Sequence, residues 1–399
     1  MPCRCTRLEV QRGFLMRVAI VHDWLYTIGG AERVLQEMLR CYPDADVFCL
    51  FDFLTAEDRS KIGLNATRTT FIQKLPFVRR AHRAFLPLFP IAIEQLDLSP
   101  YDLIISSSYA AAKGVLTGPD QLHVSYVHSP IRYAWDLQHT YLARNKSSIT
   151  TFLARPLLHW LRIWDARTAH GPDMMIANSH FVARRIRKVY GRKARVLYPP
   201  VQLSSRANAP VERRHFLAAS RLVPYKNIEA IVRAFSELPD QRLIVAGDGP
   251  EAGHLRKIAG PNVSFAGFVS DGSMRELMAS ARAFVFAAEE DFGIISVEAQ
   301  SEGTPVIALG RGGSCESVLD GRTGLFFDTP EPAAIAACVR RFIEREGEFL
   351  PENCRAQADG FSPERFREGL RAYVNESIAE YKSSAVGYVP ASKFSTEGG

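Results

Sequence analysis

Strand-like apolar runs alternate with helix-periodic segments along nearly the whole chain. This order constrains the fold most, because parallel strands need crossover elements and therefore lie about one helix apart in sequence. The runs in RVAIVHDWL (17–25), DVFCLF, DLIISSS, HVSYVH and DMMIANS read as strands. GGAERVLQEMLRCY (29–42) reads as a glycine loop and a helix with Val34, Leu35, Met38 and Leu39 on one face, and SHFVARRIRKVYG as a later helix. SPIRYAWDLQHTYL breaks the pattern and reads as a loop leading into helices; RVLYPPV ends this half. The order then restarts. RHFLAASRL, QRLIVAGDGP, VSFAGFV, RAFVFAA and TPVIAL read as strands, separated by helices in KNIEAIVRAFSEL, EAGHLRKIAG, DGSMRELMASA (begun by an Asp) and GIISVEAQSEG. Two rounds of βαβ order predict an α/β chain with two Rossmann-like parallel-sheet domains, 16–200 and 201–362, joined at Tyr198-Pro199-Pro200. SPERFREGLRAYVNESIAEY (362–381) reads as a long terminal helix, the tail 383–399 as disordered, and 1–15 as an extension before a natural start at Met16.

Length agrees with this division, since 399 residues suffice for two ordinary domains. The net charge of +6 is too weak to imply nucleic acid; it suits an anionic membrane surface or acidic ligand, or nothing more than an ordinary surface. The 7 cysteines are scattered without a CxxC pair, which argues against a disulfide framework or a zinc site and favours a reducing cytosol. No stretch reaches the roughly 18 apolar residues of a membrane span.

In open α/β sheets, ligands bind beyond the carboxyl ends of the strands. EEDFGIISVE (289–298) lies at such an end. Its helix start offers backbone N–H groups to a phosphate, Gly293 permits close approach, and Glu290 and Glu298 flank the turn. Two carboxylates there suit sugar hydroxyls; the plain alternative is a surface acid and a helix-start acid. SRLVPYKN (220–227) follows another strand end and sets Arg221 and Lys226 where a diphosphate can lie, or leaves them as solvated charges on a βα loop. IGGAER (28–33) is a third glycine turn opening a helix, and by itself a weak phosphate signal. DAD (44–46) looks like a metal-binding acidic pair but precedes its strand, at the wrong end for the crevice. FIQKLPFVRRAHRAFLPLF (71–89) interleaves Lys74, Arg79, Arg80 and Arg83 with phenylalanines. That suits a membrane interface and a lipid diphosphate, or a basic helix packing its aromatics inward. RRIRKVYGRK (184–193) reads as a second basic, solvated helix.

Taken in order, these stretches resemble the GT-B glycosyltransferases of family GT4 over roughly residues 16–381. The pair Glu290 and Glu298 matches the family's E-x7-E motif; AGDGP (246–250), FAGFV (265–269) and EGTPVIAL (302–309) are similar to its second domain, and GGAER and NSHFVARRI to its first. The resemblance implies two domains facing a cleft that holds the donor, and a terminal helix (363–382) crossing back to the first domain. Arg221 and Lys226 would neutralise the departing diphosphate, Glu298 would hold the ribose, and Glu290 would contact the donor sugar. Phe292, Gly293 and Ile294 would bind through their amides, with Gly249 and Phe268 nearby, and Gly29 and Gly30 would cover the diphosphate. It implies a retaining reaction with no metal or other cofactor. His128 follows a strand end in YVHSPIRYAWD (126–136), where the family often has a histidine near the donor sugar. That stretch also resembles bacterial mannosyltransferases of O-antigen and exopolysaccharide assembly. The implied activity is transfer of mannose from GDP-mannose to a polyprenyl-diphosphate-linked oligosaccharide, in the cytoplasm at the inner membrane face, with the basic 71–89 segment beside the acceptor. The alternatives are a UDP-glucose or other UDP-sugar donor, a sugar-nucleotide epimerase, and a non-catalytic nucleotide-sugar-binding protein.

Overall fold

The structure, a computed structural model, describes residues 16–136, 138, 148–204 and 212–385. The N-terminal extension, most of the expected disordered tail and part of the SPIRYAWDLQHTYL loop lie outside the described residues. The rest divides into two units. One comprises Arg185–Arg195 and the described parts of Met1–Ala177 and Arg367–Gly399, the other Asn178–Arg184 and the described parts of Val196–Phe366.

The first unit is built on a seven-stranded sheet of β1 (Val18–His22), β2 (Asp46–Cys49), β3 (Arg68–Thr69), β4 (Leu103–Ser108), β5 (Leu122–Val127), β6 (Met174–Ala177) and β7 (Arg195–Val196), in the order β3-β2-β1-β4-β5-β6-β7. β1 pairs in parallel with both β2 and β4. The second unit holds β8 (His215–Ala219), β9 (Leu243–Ala246), β10 (Val263–Gly267), β11 (Ala281–Phe286), β12 (Val306–Leu309) and β13 (Gly324–Phe327), in the order β10-β9-β8-β11-β12-β13. β8 pairs in parallel with both β9 and β11. Central strands of parallel sheets are covered on both faces, so every residue of β4 and β8 is buried, serines and His215 included. On one face of the second sheet, Phe216, Val245, Ile307, Phe235 and Phe342 form a core beneath the helices Ile228–Ser236 and Pro332–Glu344; Leu217, Phe284, Ala308 and Ala299 build a second core. Each sheet reverses its winding once, between β1 and β4 and between β8 and β11, and these are the switch points where open α/β sheets leave a crevice.

The structure corrects several sequence expectations. Within the expected 201–362 domain, β13 and the helices Pro332–Glu344 and Pro351–Asp359 follow TPVIAL, elements the sequence reading left unplaced. Ser270, not Asp271, caps the helix of DGSMRELMASA: its hydroxyl accepts from Ser273 N at 3.3 Å, and Asp271 is the first helical residue. The 71–89 segment is not one basic helix but short turns, Phe71–Lys74, Val78–Ala81 and His82–Leu88, the first two separated by Pro76 and by Phe77 in the left-handed region, with Pro87 inside the third. Its aromatics split: Phe89 is buried and Phe77 is 75% exposed. RRIRKVYGRK is not simply solvated, because Arg185 binds Ser129 and Asp136 at 2.6 Å each, and Arg192 binds the carbonyls of Ala169 and Pro172. No described helix is long and apolar enough to cross a membrane.

Candidate functional site

In the second unit, two loops meet at the β8–β11 switch point. β8 ends at Ala219, and the chain then forms a single 3-10 turn, Pro224–Lys226, followed by Asn227 in the left-handed region (φ 54°). The Asn227 amide donates to Ala287 O at 2.9 Å, which ties this loop to the one leaving β11. The tie sets Lys226 against Glu290, with which it forms an ion pair; both side chains are largely shielded, at 15% and 20% exposure. Arg221 sits exposed at the start of the same loop.

The β11 loop ends at Gly293, whose φ of 82° suits a residue without Cβ and turns the chain into the helix Ile294–Ser301. The first N–H groups of that helix have no intrahelical acceptor. Phe292 is buried against Tyr198 and Phe361, ring centroids 5.5 and 5.2 Å away, so its backbone and not its ring is available to a ligand. Glu298 lies half-buried in the middle of the helix. Gly249 packs its Cα onto Leu222, where a Cβ would collide with the backbone carbonyl, so it has a structural reason of its own. Phe268 follows β10 and is 87% exposed.

Sequence reasoning missed the loop GRGG (310–313) after β12. Gly313 N donates to Glu290 O at 2.8 Å, and a Cβ on Gly313 would come 2.7 Å from Asp291 O, so this loop backs the Glu290 turn at van der Waals distance. Beside it, Glu316 accepts from His180 N and Phe181 N at 2.7 and 2.8 Å, capping the His180–Tyr190 helix. A groove of about 520 Å³ lies here, lined by His180, Arg184, Glu289, Arg311, Cys315 and Glu316, and it does not include Arg221, Lys226 or Glu298. The signal for this loop was an adjacent glycine pair just after a buried strand.

In the first unit, Gly29 is the N-cap of the helix Gly30–Cys41, and Glu32 Oε2 accepts from Gly29 N at 2.8 Å. Asp23, wholly buried beyond β1, accepts from the backbone N–H groups of Tyr109, Ala110, Ala111 and Ala112 at 2.5–2.9 Å and so fixes the loop after β4. His128 follows β5, and its Nε2 meets Ser107 Oγ at 2.8 Å. Burial, with His22 adding to it, pushes His128 down to about 3, so it is neutral at physiological pH. Deeper in, Lys113 pairs with Asp165, which also accepts from Trp135 Nε1 at 2.7 Å and Tyr190 OH at 2.9 Å.

The predicted residues thus fall into groups. Lys226, Glu290, Phe292, Gly293 and Ile294 are brought together at the second unit's switch point, with Arg221 on the same loop and Glu298 on the same helix. Gly29, Gly30 and His128 lie at strand ends of the first unit, and Lys74, Arg79, Arg80 and Arg83 are exposed on its 71–89 segment. Asp46 of DAD begins β2 and accepts from Tyr101 OH at 2.5 Å, a structural role. Among the described residues, no group of three His, Cys, Asp or Glu side chains could hold a metal ion.

Residues 28–205 match the model of Glycosyltransferase Family 4, and residues 202–360 that of Glycosyl transferases group 1. A D-inositol 3-phosphate glycosyltransferase of Nocardioides sp. is 29% identical over 223 residues, 46% of this chain and 49% of that one; the protein of that name from Mycobacterium bovis is 29% identical over 53% of this chain and 50% of its own. The chain spans about half the length of these relatives. Among solved structures, Anabaena HepE in complex with UDP superposes with a TM-score of 0.67 at 20% identity, covering 90% of this chain and 100% of that one. Sucrose-phosphate synthase from Thermosynechococcus elongatus gives 0.66 at 17% identity, covering 92% and 100%. With two parallel Rossmann-like sheets and a glycosyltransferase model matched over each half, the chain belongs to the GT-B glycosyltransferases of family 4, group 1.

Proposed function

We propose that the protein transfers a hexose from a nucleotide sugar, with the nucleotide diphosphate bound at the β8–β11 switch point. The observation that carries this reading is the meeting of Lys226, Glu290 and the Gly293 helix start on loops tied by the Asn227–Ala287 hydrogen bond. A leaving diphosphate carries charge that must be stabilised in place, and Arg221, Lys226 and the first amides of the helix supply fixed positive groups for it. Glu298 is assigned to the ribose hydroxyls and Glu290 to the donor sugar. His128, Gly29 and Gly30 are assigned to the donor from the first unit. The acceptor hydroxyl attacks on the face that the diphosphate leaves, its proton passing to the leaving phosphate, so that configuration is retained without a protein nucleophile.

Our first choice of donor is GDP-mannose, with a polyprenyl-diphosphate-linked oligosaccharide as acceptor and Lys74, Arg79, Arg80 and Arg83 beside its charged headgroup at a membrane surface. Exposed basic residues next to the exposed Phe77 support that placement. A second reading, a UDP-sugar donor, is favoured by the fold likeness to HepE, solved with UDP and with UDP-glucose. A thermal-shift panel of GDP, GDP-mannose, UDP, UDP-glucose and ADP, with and without magnesium, separates the two. Metal-independent stabilisation by the guanine pair supports the first, and stabilisation by the uridine pair replaces it with the second. A protein that binds none of them is not a nucleotide-sugar transferase of this kind.

A further inference from the structure

The first unit carries an apolar face that the proposed donor site does not use. Its centre is Trp164 of the helix Ser148–Thr168. Trp164 Nε1 donates to Glu94 Oε1 at 2.7 Å, and the ring lies on Gly114, where a Cβ would come within 2.5 Å of it. One side chain thus joins three elements: its own helix, the short helix Phe89–Glu94 and the 3-10 turn Ala112–Gly114. Beside that junction each element brings a large apolar residue to the surface. Trp160 and Ile163, one turn before Trp164 and next to it, are 40% and 57% exposed. Ile91, one turn before Glu94, is 49% exposed, and Leu116, two residues past Gly114, is 63% exposed. Their chain neighbours Ala92, Ile93, Val115 and Leu161 are buried, so these residues form the outer side of packed elements. Single exposed apolar residues are ordinary, but four around one indole make a patch of the kind that marks an interaction surface.

The charges around the patch say what covers it. Residues 71–94 and 154–168 hold seven Lys and Arg and two acids. Both acids are taken up internally, Glu94 by Trp164 Nε1 and Asp165 by Lys113. Arg162 turns inward and donates to Ala134 O at 2.9 Å. The other six cations, Lys74, Arg79, Arg80, Arg83, Arg155 and Arg167, are exposed. A second copy of the chain is a poor occupant, because a two-fold pairing of this face would set the cations against their own copies. Nucleic acid would take the cations and stack on an aromatic ring, but it gains little from Ile91, Leu116 and Ile163. A bilayer containing anionic lipid takes both: aliphatic side chains enter the acyl boundary, Trp suits the headgroup level, and Lys and Arg meet the anionic headgroups.

We propose that the first unit docks on an anionic bilayer through Ile91, Leu116, Trp160 and Ile163, with those six cations on its headgroups. This deepens the membrane placement under Proposed function and rests on it. That placement uses only the 71–89 segment; the apolar anchor here lies on other elements and adds the part of the affinity that salt does not screen.

The test is flotation of the full chain, without nucleotide or acceptor, with vesicles of phosphatidylcholine alone and of phosphatidylcholine mixed with phosphatidylglycerol. Wild type is expected to float with the mixed vesicles and much less with the neutral ones. Trp160→Ser with Ile163→Ser should weaken the partition about tenfold or more, with the melting temperature close to wild type because both side chains are exposed. If that pair melts early, Ile91→Ser with Leu116→Ser, on the other two elements, is the substitute and should lose about as much. Unchanged partition in a folded pair variant overturns the proposal; if Arg79, Arg80 and Arg83 changed to Gln still abolish flotation, the membrane placement survives it. No flotation of wild type overturns both, and leaves the nucleotide-sugar reading to its own thermal-shift test. Equal partition to neutral vesicles also refutes the proposal, because the cations then contribute nothing. Dimerisation without lipid that Trp160→Ser with Ile163→Ser abolishes would give the face to a second copy and overturn the bilayer. Binding of an oligonucleotide that the same pair abolishes would give it to nucleic acid, with the same consequence.

Discussion

Replacing Lys226 by alanine separates the chemistry proposed at the switch point from the stability of the fold. In the folded chain Lys226 pairs with Glu290, and both side chains are more than three-quarters shielded, at 15% and 20% exposure. Such a pair lies between an exposed one, worth at most about 1 kcal/mol, and a deeply buried one. Glu290 keeps part of its solvation after the change, so the folding loss should stay near 1 kcal/mol, a melting shift of about 2–4 °C for a unit of this size. The same ammonium, if it faces the departing diphosphate, supplies stabilisation that grows in the transition state. Loss of one such group slows a reaction by about 100- to 1000-fold. The assay is release of nucleoside diphosphate from whichever nucleotide sugar stabilises the wild type, with melting curves on the same samples. A rate within threefold of wild type would refute the diphosphate assignment. A melting temperature lowered by more than about 10 °C would refute the structural estimate and leave Arg221→Ala, on the same loop but exposed, as the cleaner probe.

Three further outcomes can be checked without knowing the substrate. Lys113→Met strands the buried Asp165 carboxylate and should destabilise the first unit by about 3–5 kcal/mol in urea melts, while adding Asp165→Leu should recover most of the loss; additive effects in that cycle would deny the pairing. Gly313→Ala, whose Cβ would press on Phe292 Cα, should destabilise by about 1–3 kcal/mol or more, whereas Gly272→Ala, in a helix and with nothing within 4 Å, should be neutral or stabilising. Burial pushes His123 from 6.5 down to about 3, so between those values only the unfolded chain takes up its proton. The stability this group provides is complete above pH 6.5 and falls as the pH drops, by up to about 1.4 kcal/mol per pH unit, so His123→Gln should flatten the acid limb of the stability profile by that slope.

What was legible in the sequence is what local periodicity carries. The buried strands of both sheets announce themselves as apolar runs, and Gly293 and Lys226 could be placed at strand ends because those ends follow the runs directly. GLFF of β13 is only four residues long and follows a turn, so no period distinguishes it. The helix of DGSMRELMASA begins at Asp271 as its acid suggests, but its cap is Ser270; both are competent caps, and only the backbone decides between them. The approach of His22 Nδ1 to Ser107 Oγ, 3.1 Å apart, was invisible for a deeper reason. His22 and Ser107 are 85 residues apart and meet because β1 pairs with β4, a fact of topology that no spacing encodes. Arg192 shows the same limit: in sequence it belongs to a run of solvated charges, and in the fold it binds carbonyls at the end of the Ser148–Thr168 helix and beyond.

The Lys226–Glu290 pair has a consequence with an unusual sign. The cation assigned to the diphosphate is already held by the acid assigned to the sugar, so a nucleotide must compete with Glu290 for Lys226. Glu290→Gln removes the competing charge and keeps the side chain's shape. Nucleoside diphosphate lacking a sugar should then bind more tightly, by up to about fivefold, the equivalent of the roughly 1 kcal/mol such a pair is worth. Transfer should become slower, because the group assigned to the sugar has lost its charge. Calorimetric titration with the diphosphate and an initial-rate assay with the intact donor measure the two effects separately. Weaker diphosphate binding in Glu290→Gln would mean that Glu290 orients Lys226 toward the phosphates rather than withholding it. Unchanged turnover would remove Glu290 from the sugar's reaction centre. Tighter binding together with slower transfer is the pattern that only the opposed roles produce.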